Sequence, residues 1–178
     1  MINKLLYIWR YIIQIKLNKR IATNSFVVIQ KNVILIVEEG GEIVFGKNVI
    51  IKEKSVIYAK QNAKIILGDN TSTGHHTEIS ANNYIEIGDD VIMGAYTYIT
   101  DSNHGYKDKD LPIRKQDMEI GSVEIGNNVW LGRGVMILKD SVIGDNSVVA
   151  AGSIVTKKFV ENKILGGIPA KVIKRIYE

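Results

Sequence analysis

Apolar residues recur at every sixth position along much of the chain, usually followed by a small residue. The series runs through Ile125-Gly126, Leu131-Gly132, Ile137-Leu138, Ile143-Gly144, Val149-Ala150 and Val155-Thr156 without a slip. Upstream it continues as Leu67-Gly68, Thr73-Gly74 and Ile79-Ser80, then as Ile87-Gly88, Met93-Gly94 and Ile99-Thr100, with two extra residues between the runs. A turn motif returns on a longer period, at Phe45-Gly46-Lys47-Asn48, Leu67-Gly68-Asp69-Asn70, Ile87-Gly88-Asp89-Asp90, Ile125-Gly126-Asn127-Asn128 and Ile143-Gly144-Asp145-Asn146. The last interval is eighteen residues, three hexads, and the earlier ones are longer. A coil of three short strands, one per face, accounts for both periods. Gly, Asn and Asp mark its corners because a chain turning sharply between short strands needs residues that tolerate left-handed backbone. The apolar residue of each hexad points inward onto its equivalent one coil away, and since one coil cannot bury that face, the coils must stack.

Two segments depart from this pattern. The N-terminal "MINKLLYIWRYIIQIKLNKR" is apolar but interrupted by Lys4, Arg10, Gln14 and Lys16, so it falls short of the roughly 18 uncharged residues of a spanning helix. It predicts an amphipathic helix with two readings: a cover over one end of the coil stack, or a foot on an anionic membrane through Trp9, Tyr7 and Ile12. The other departure is "ITDSNHGYKDKDLPI". Between the turn motifs at Ile87 and Ile125 lie thirty-eight residues, one coil plus about twenty more, and that excess predicts an extruded loop over about 101–122. Loops on rigid scaffolds carry site residues, and this one holds His104.

Composition narrows the chemistry. A chain of 178 residues suffices for one domain with a core, and the absence of cysteine removes disulfides, thiolate nucleophiles and Cys-based zinc sites. The net charge of +4 permits an anionic partner, but the basic residues are dispersed and aromatics make up only 7%, poor material for stacking bases. A phosphorylated small molecule fits better, and no nucleic-acid partner is expected.

The hexads, together with "VWLG", "AAGSIVTK" and "GGIPAKVIK", resemble the hexapeptide-repeat acyltransferases over roughly residues 25–176, and among them the O-acetyltransferases of surface polysaccharides and related sugars. The resemblance implies an all-β fold, a left-handed parallel β-helix of hexapeptide repeats, with an N-terminal amphipathic helix, the extruded loop and a short C-terminal helix. The boundaries expected are 1–24 for the helical segment, 25–163 for the β-helix and 164–178 for the tail. It also implies a homotrimer with sites between subunits, acetyl-CoA as co-substrate, a sugar or glycan acceptor and no metal. The location expected is cytoplasmic, peripheral to the inner face of the membrane through residues 1–20.

By the same resemblance, His104 is the general base that takes the acceptor's proton. Imidazole suits that task because it is largely neutral near pH 7. The peptide N–H of Arg133, after Trp130-Leu131-Gly132, is the oxyanion donor. Asp101 either orients the imidazole or caps its own turn. Trp130 lines the acetyl or acceptor site or packs beneath the loop. Asn103 and His76 are acceptor contacts, and His75, which as a strand neighbour of His76 points the other way, is structural. On the donor side, Ala151 and Gly152 admit close approach of the coenzyme A arm, Thr156 and Lys157 follow along it, and Lys171 and Lys174 meet its phosphates. Where the family often has a proline pair after "TK", this chain has "KKFVEN", and Asp140 stands at a corner that commonly holds glycine. Three alternatives stand beside this reading: N-acetylation of an amino sugar, a carbonic-anhydrase-like metal enzyme built on the three histidines, and a non-catalytic scaffold.

Overall fold

The computed structural model describes residues 2–177, with side chains from residue 5 to 177. Met1, Glu178 and the side chain of Lys4 lie outside it. The chain winds into a parallel β-solenoid of about six turns with three faces. The first face is a seven-stranded sheet in which Ile21–Thr23, Glu42–Phe45, Lys64–Leu67, Tyr84–Ile87, Ser122–Ile125, Val142–Ile143 and Lys158–Phe159 pair in that order. The third face has six strands, from Ile34–Val37 to Ile154–Val155. The second face begins with Val28–Ile29 and Ile50–Ile51, passes through single bridges at Ser72, and continues from Ile92–Met93 to Lys163–Gly167.

The inward column is the hexad series: Ile125, Leu131, Ile137, Ile143, Val149 and Val155 are all buried, as are Leu67, Thr73, Ile79, Ile87, Met93 and Ile99. Each large aliphatic side chain buried this way contributes about 1.5–3 kcal/mol. Parallel registry stacks like on like, as in Ile43 on Ile65 and Ile65 on Ile85.

The turn motif forms the edge between the first and second faces, and each of its residues has a separate physical task. A Cβ on Gly88 would lie 2.8 Å from the backbone carbonyl carbon of Gly126, so only glycine lets the coils approach. The next residue accepts from the coil before it: the Lys47 N–H donates to Asp69, Asp69 N–H to Asp89, Asp89 N–H to Asn127 and Asn127 N–H to Asp145, at 2.7–2.8 Å. The fourth residue takes the left-handed conformation, with φ of 53–56° at Asn48, Asn70, Asp90, Asn128 and Asn146. Asn128 Nδ2 also donates to Asn146 Oδ1 at 2.9 Å. These bonds span 22, 20, 38 and 18 residues in turn, so the first two coils are longer than three hexads, the third interval is one three-hexad coil plus the extruded loop, and the last is three hexads.

The ends differ from expectation in two respects. The N-terminal helix (α-helical over Ile2–Tyr11, then π-helical over Ile12–Lys16) gives way to a first strand at Ile21, inside the segment expected to be helical. At the other end, the described residues form no short C-terminal helix. Lys163–Gly167 and Ala170–Arg175 form an antiparallel hairpin, because Gly166 and Gly167 open a turn before Pro169 and the β-branched Val172 and Ile173 favour extended backbone.

Candidate functional site

The extruded loop leaves the third face after Thr100 and is a stalked ribbon. Ser102–His104 pairs antiparallel with Met118–Ile120, placing His104 opposite Met118, and the Gly105 N–H donates to the Asp117 carbonyl at 3.1 Å. Beyond the stalk the Gln116 amide clamps the tip, accepting from Asp108 N–H at 2.9 Å and donating to the carbonyls of Asp108 and Leu111 at 2.8 and 2.9 Å. Lys107, exposed, and Glu119, half-buried, close it with an ion pair at 2.6 Å, which holds the Glu119 carboxyl below and the Lys107 ammonium above their ordinary ranges through the shared hydrogen bond. His104 is exposed at the end of its strand. Asn103 is exposed too, but strand alternation points it to the other side of the ribbon.

Asp101 sits at the root of this ribbon, fully buried, and its carboxylate is occupied. Oδ1 accepts from the Asn82 N–H and Oδ2 from the N–H groups of Asn83 and Tyr84, all at 2.8 Å. These donors belong to the corner one coil earlier, so Asp101 pins the loop's origin to the scaffold, and the carboxylate makes no hydrogen bond to the imidazole. Asn82 also donates through its amide to Ser102, and the Asn83 amide reaches the Gly121 carbonyl at 2.8 Å. Both ends of the loop are thereby tied to one tight turn.

Arg133 lies on a different edge, between the second and third faces. Gly132 N–H and Gly134 N–H are taken by Val149 and Ala95 carbonyls at 2.8 and 2.9 Å. Among the described residues, the Arg133 N–H between them has no acceptor. The edge is narrow here: a Cβ on Gly94 would lie 2.5 Å from Arg133 N. The Arg133 guanidinium sits 4.6 Å from the centroid of Tyr96, whose ring stacks on His76 at 4.7 Å and within 4° of parallel. Neither His75 nor His76 is in a strand. His75 is exposed, and His76 is half-buried at a left-handed corner with φ of 55°, so alternation on a strand does not set where they point. Sequence reasoning overlooked Tyr96. Its signal was its place one coil after His76 in a corner that elsewhere favours glycine, with φ of 61°.

Ala151 and Gly152 continue the same edge, Gly152 N–H donating to the Arg133 carbonyl at 2.8 Å. Both are exposed, and a Cβ on Gly152 would meet nothing within 4 Å, so open space adjoins the backbone; its φ of +70° independently favours glycine. Trp130, 57% exposed, stands on the outer second face in register with Val148, which pairs with Ile164, which in turn pairs with Lys174. A strand that alternates regularly would send Lys171 and Lys174 to opposite sides. The bulge between Ile164 and Leu165 pairs Lys171 with Gly166 and Lys174 with Ile164, so both lysines project to the outer side with Trp130. The result is a strip about 14 Å long, apolar at Trp130, Val148 and Ile164 and cationic at its end. A groove of about 210 Å³ runs beside it, closed by Ile176 and Tyr177. Thr156 and Lys157 are exposed after the third-face strand Ile154–Val155, at the edge that carries His104.

One chain therefore distributes the expected groups over separate places on the prism. His104, Thr156 and Lys157 lie at the third–first edge, Arg133, Ala151, Gly152 and His76 at the second–third edge, and Trp130, Lys171 and Lys174 on the second face. A third-face strand separates the two edges, and five residues from Tyr96 to Asp101 span about 16 Å. Among the described residues, no three His, Cys, Asp or Glu side chains gather as a metal set.

Comparison with known proteins supports the architecture. The family described as Bacterial transferase hexapeptide (six repeats) matches residues 122–157. A protein of Escherichia coli K12 named as the lipopolysaccharide biosynthesis O-acetyl transferase WbbJ is 32% identical over 146 residues, covering 78% of this chain and 74% of its own. The galactoside O-acetyltransferase of the same strain is 34% identical over 67% of this chain and 58% of its own, so this chain spans little more than half of that relative. Among solved structures, AntD, an N-acyltransferase from Bacillus cereus in complex with dTDP and 3-hydroxybutyryl-CoA, superposes with a TM-score of 0.71 at 20% identity, over 90% of this chain and 85% of its own. That likeness speaks to the fold alone. The hexad core, the corner ladders and relatives above 30% identity agree, and the chain belongs to the hexapeptide-repeat acyltransferase family.

Proposed function

We propose that this chain is an acetyl-CoA-dependent O-acetyltransferase acting on a sugar hydroxyl of a surface polysaccharide or its precursor. The observation that carries the reading is His104, an exposed imidazole on a ribbon anchored at both ends, in a chain whose relatives above 30% identity include proteins named O-acetyltransferases. A neutral sugar hydroxyl is a weak nucleophile, and an imidazole that accepts its proton during attack supplies roughly 10²–10⁴-fold. The hydroxyl oxygen adds to the thioester carbonyl while His104 takes the proton. The negative charge that develops on the carbonyl oxygen needs a preorganised donor, and the unpaired Arg133 N–H suits that need. When the intermediate collapses, the C–S bond breaks and the departing thiolate regains the proton from the imidazolium. With no cysteine in the chain, a thiol-borne acyl-enzyme has no place in this sequence of steps.

The donor side is supported by the strip from Trp130 to Lys174. Its apolar part matches the pantetheine arm of coenzyme A in character, its lysines match the phosphates, and the open backbone at Gly152 admits close approach. The reading requires a neighbouring subunit, since His104 and Arg133 lie on different edges of one prism. A homotrimer packed face to edge brings one chain's ribbon beside another's second–third edge.

The test is coenzyme A release from acetyl-CoA across nucleotide sugars, lipid-linked glycans and polysaccharides, with the product then treated with mild alkali. Acceptor-dependent release and an alkali-labile acetyl group are expected. An alkali-stable acetyl group moves the reading to amine acceptors, and no release with any acceptor overturns it.

A further inference from the structure

The N-terminal helix is amphipathic in an unusual sense, because the face turned away from the protein is apolar. Its inner side closes the open end of the solenoid. Ile15 is buried in the core, Tyr11 Oη donates to the Ser25 carbonyl at 3.2 Å, Gln14 Nε2 to the Val33 carbonyl at 3.2 Å, and Tyr11 packs on Phe26 at 4.8 Å between centroids. Arg20 reaches the Val37 carbonyl at 3.3 Å. These contacts touch the first coil at several of its corners, so the helix lies flat across the end of the prism. Tyr7, expected on the outer face, is half-buried on a side shared with Gln30, Lys31 and Glu53. The outer face is Leu5, Leu6, Trp9, Ile12, Ile13 and Leu17, with Trp9 61% and Leu17 71% exposed. A helix apolar on both sides is one whose outer side is meant to be covered.

Charge identifies the cover. The first 37 residues contain six Lys or Arg and no Asp or Glu, a net +6; the remaining 141 hold 17 basic and 19 acidic residues, a net −2, and the two add to the chain's +4. Lys31 is paired with Glu53 at 3.4 Å, whereas Lys16, Lys19 and Arg20 are exposed at the end of the helix. A second copy docking end to end would set +6 against +6, a juxtaposition that costs free energy. An anionic bilayer satisfies both features, taking the apolar side chains at the acyl boundary and the cations among its headgroups. Among the described residues, no helix is long and apolar enough to cross a membrane.

We infer that the helix end of the solenoid is a docking surface for anionic lipid bilayers, the helix lying in the plane of the interface with Trp9 inserted and the prism axis standing off the membrane. The inference is independent of the acetyl-transfer reading, because its readout requires no turnover.

The experiment is co-sedimentation of the full chain with vesicles of phosphatidylcholine alone and of equal parts phosphatidylcholine and phosphatidylglycerol. Alongside it, fluorescence of a Trp130→Phe variant reports Trp9 as the sole tryptophan. Binding to the anionic vesicles only, weakened by salt, with a blue shift of Trp9, is the expected result. Each exposed cation near an anionic surface is worth about fivefold in partitioning, so Lys16→Gln/Lys19→Gln/Arg20→Gln lowers binding by about 100-fold. Circular dichroism confirms that each variant is folded. The inference is overturned if the folded chain ignores anionic vesicles, binds both kinds equally, or binds undiminished after the triple substitution. Self-association abolished by Trp9→Glu, with no vesicle binding, overturns it in favour of a second copy.

Discussion

Asp101 offers the sharpest separation between a structural and a chemical role near His104. Its buried carboxylate accepts three backbone N–H bonds at 2.8 Å. A hydrogen bond to a charged acceptor is worth about 1.5–3 kcal/mol net, so three give roughly 4.5–9 kcal/mol at the limit of full burial. The donor residues are not buried: Asn82 and Tyr84 are half-buried and Asn83 exposed, so water replaces part of what the carboxylate gave. We expect Asp101→Ala to destabilise by about 3–4 kcal/mol. Asp101→Asn keeps one acceptor oxygen but turns an NH₂ toward the remaining donors, and should cost about 2–3 kcal/mol. For a chain of this size those losses lower the melting temperature by roughly 5–15 °C. Thermal and denaturant unfolding of both variants, with assembly state held constant, measures the loss directly. If instead Asp101 served the imidazole, Asp101→Asn would leave stability within about 0.5 kcal/mol and shift the pH profile of turnover. That pattern would refute the corner-pinning assignment.

Gly94→Ala sets a Cβ 2.5 Å from Arg133 N and should cost about 3 kcal/mol, with a fall in turnover as that N–H is displaced. Gly134→Ala, where φ is +66° but the space is open, should cost only about 1 kcal/mol; equal losses in the two would contradict the close-approach argument. The Tyr84 phenol donates to Glu86 at 2.5 Å, and chiefly that bond, then burial and the charges of Glu86 and Glu124, push its pKa up to about 12. A folded-state value above the ordinary 10 means a stabilisation complete below pH 10 and lost as the pH rises through 12. Tyr84→Phe should flatten the stability curve over that window, and an unchanged alkaline slope would count against the bond.

The fold was legible because stacking makes inward residues repeat: every hexad residue from Ile125 to Val155 is buried. The turn motif was legible for a related reason, since close approach, acceptance from the preceding coil and a left-handed residue each need a particular chemistry at a fixed offset. What escaped were features set by contact between coils. The stack of His76, Tyr96 and Arg133 joins residues of three successive coils and leaves no local pattern. The bulge that aligns Lys171 with Lys174 depends on pairing across a hairpin, in a segment where a helix was expected. Asp101 was legible as a corner residue, but its three donors come from a turn seventeen to nineteen residues earlier. The position of His104 was legible through its motif context. Its separation from Arg133 within one chain was not, because a linear sequence does not say which edge a loop leaves.

The most direct test of the central claim is acetyl transfer to an acceptor hydroxyl by wild type and His104→Ala, with melting temperature and acetyl-CoA binding measured on both. The account predicts that turnover falls by at least about 10² while folding and donor affinity are unchanged. Turnover undiminished in a folded, donor-binding His104→Ala chain would contradict it.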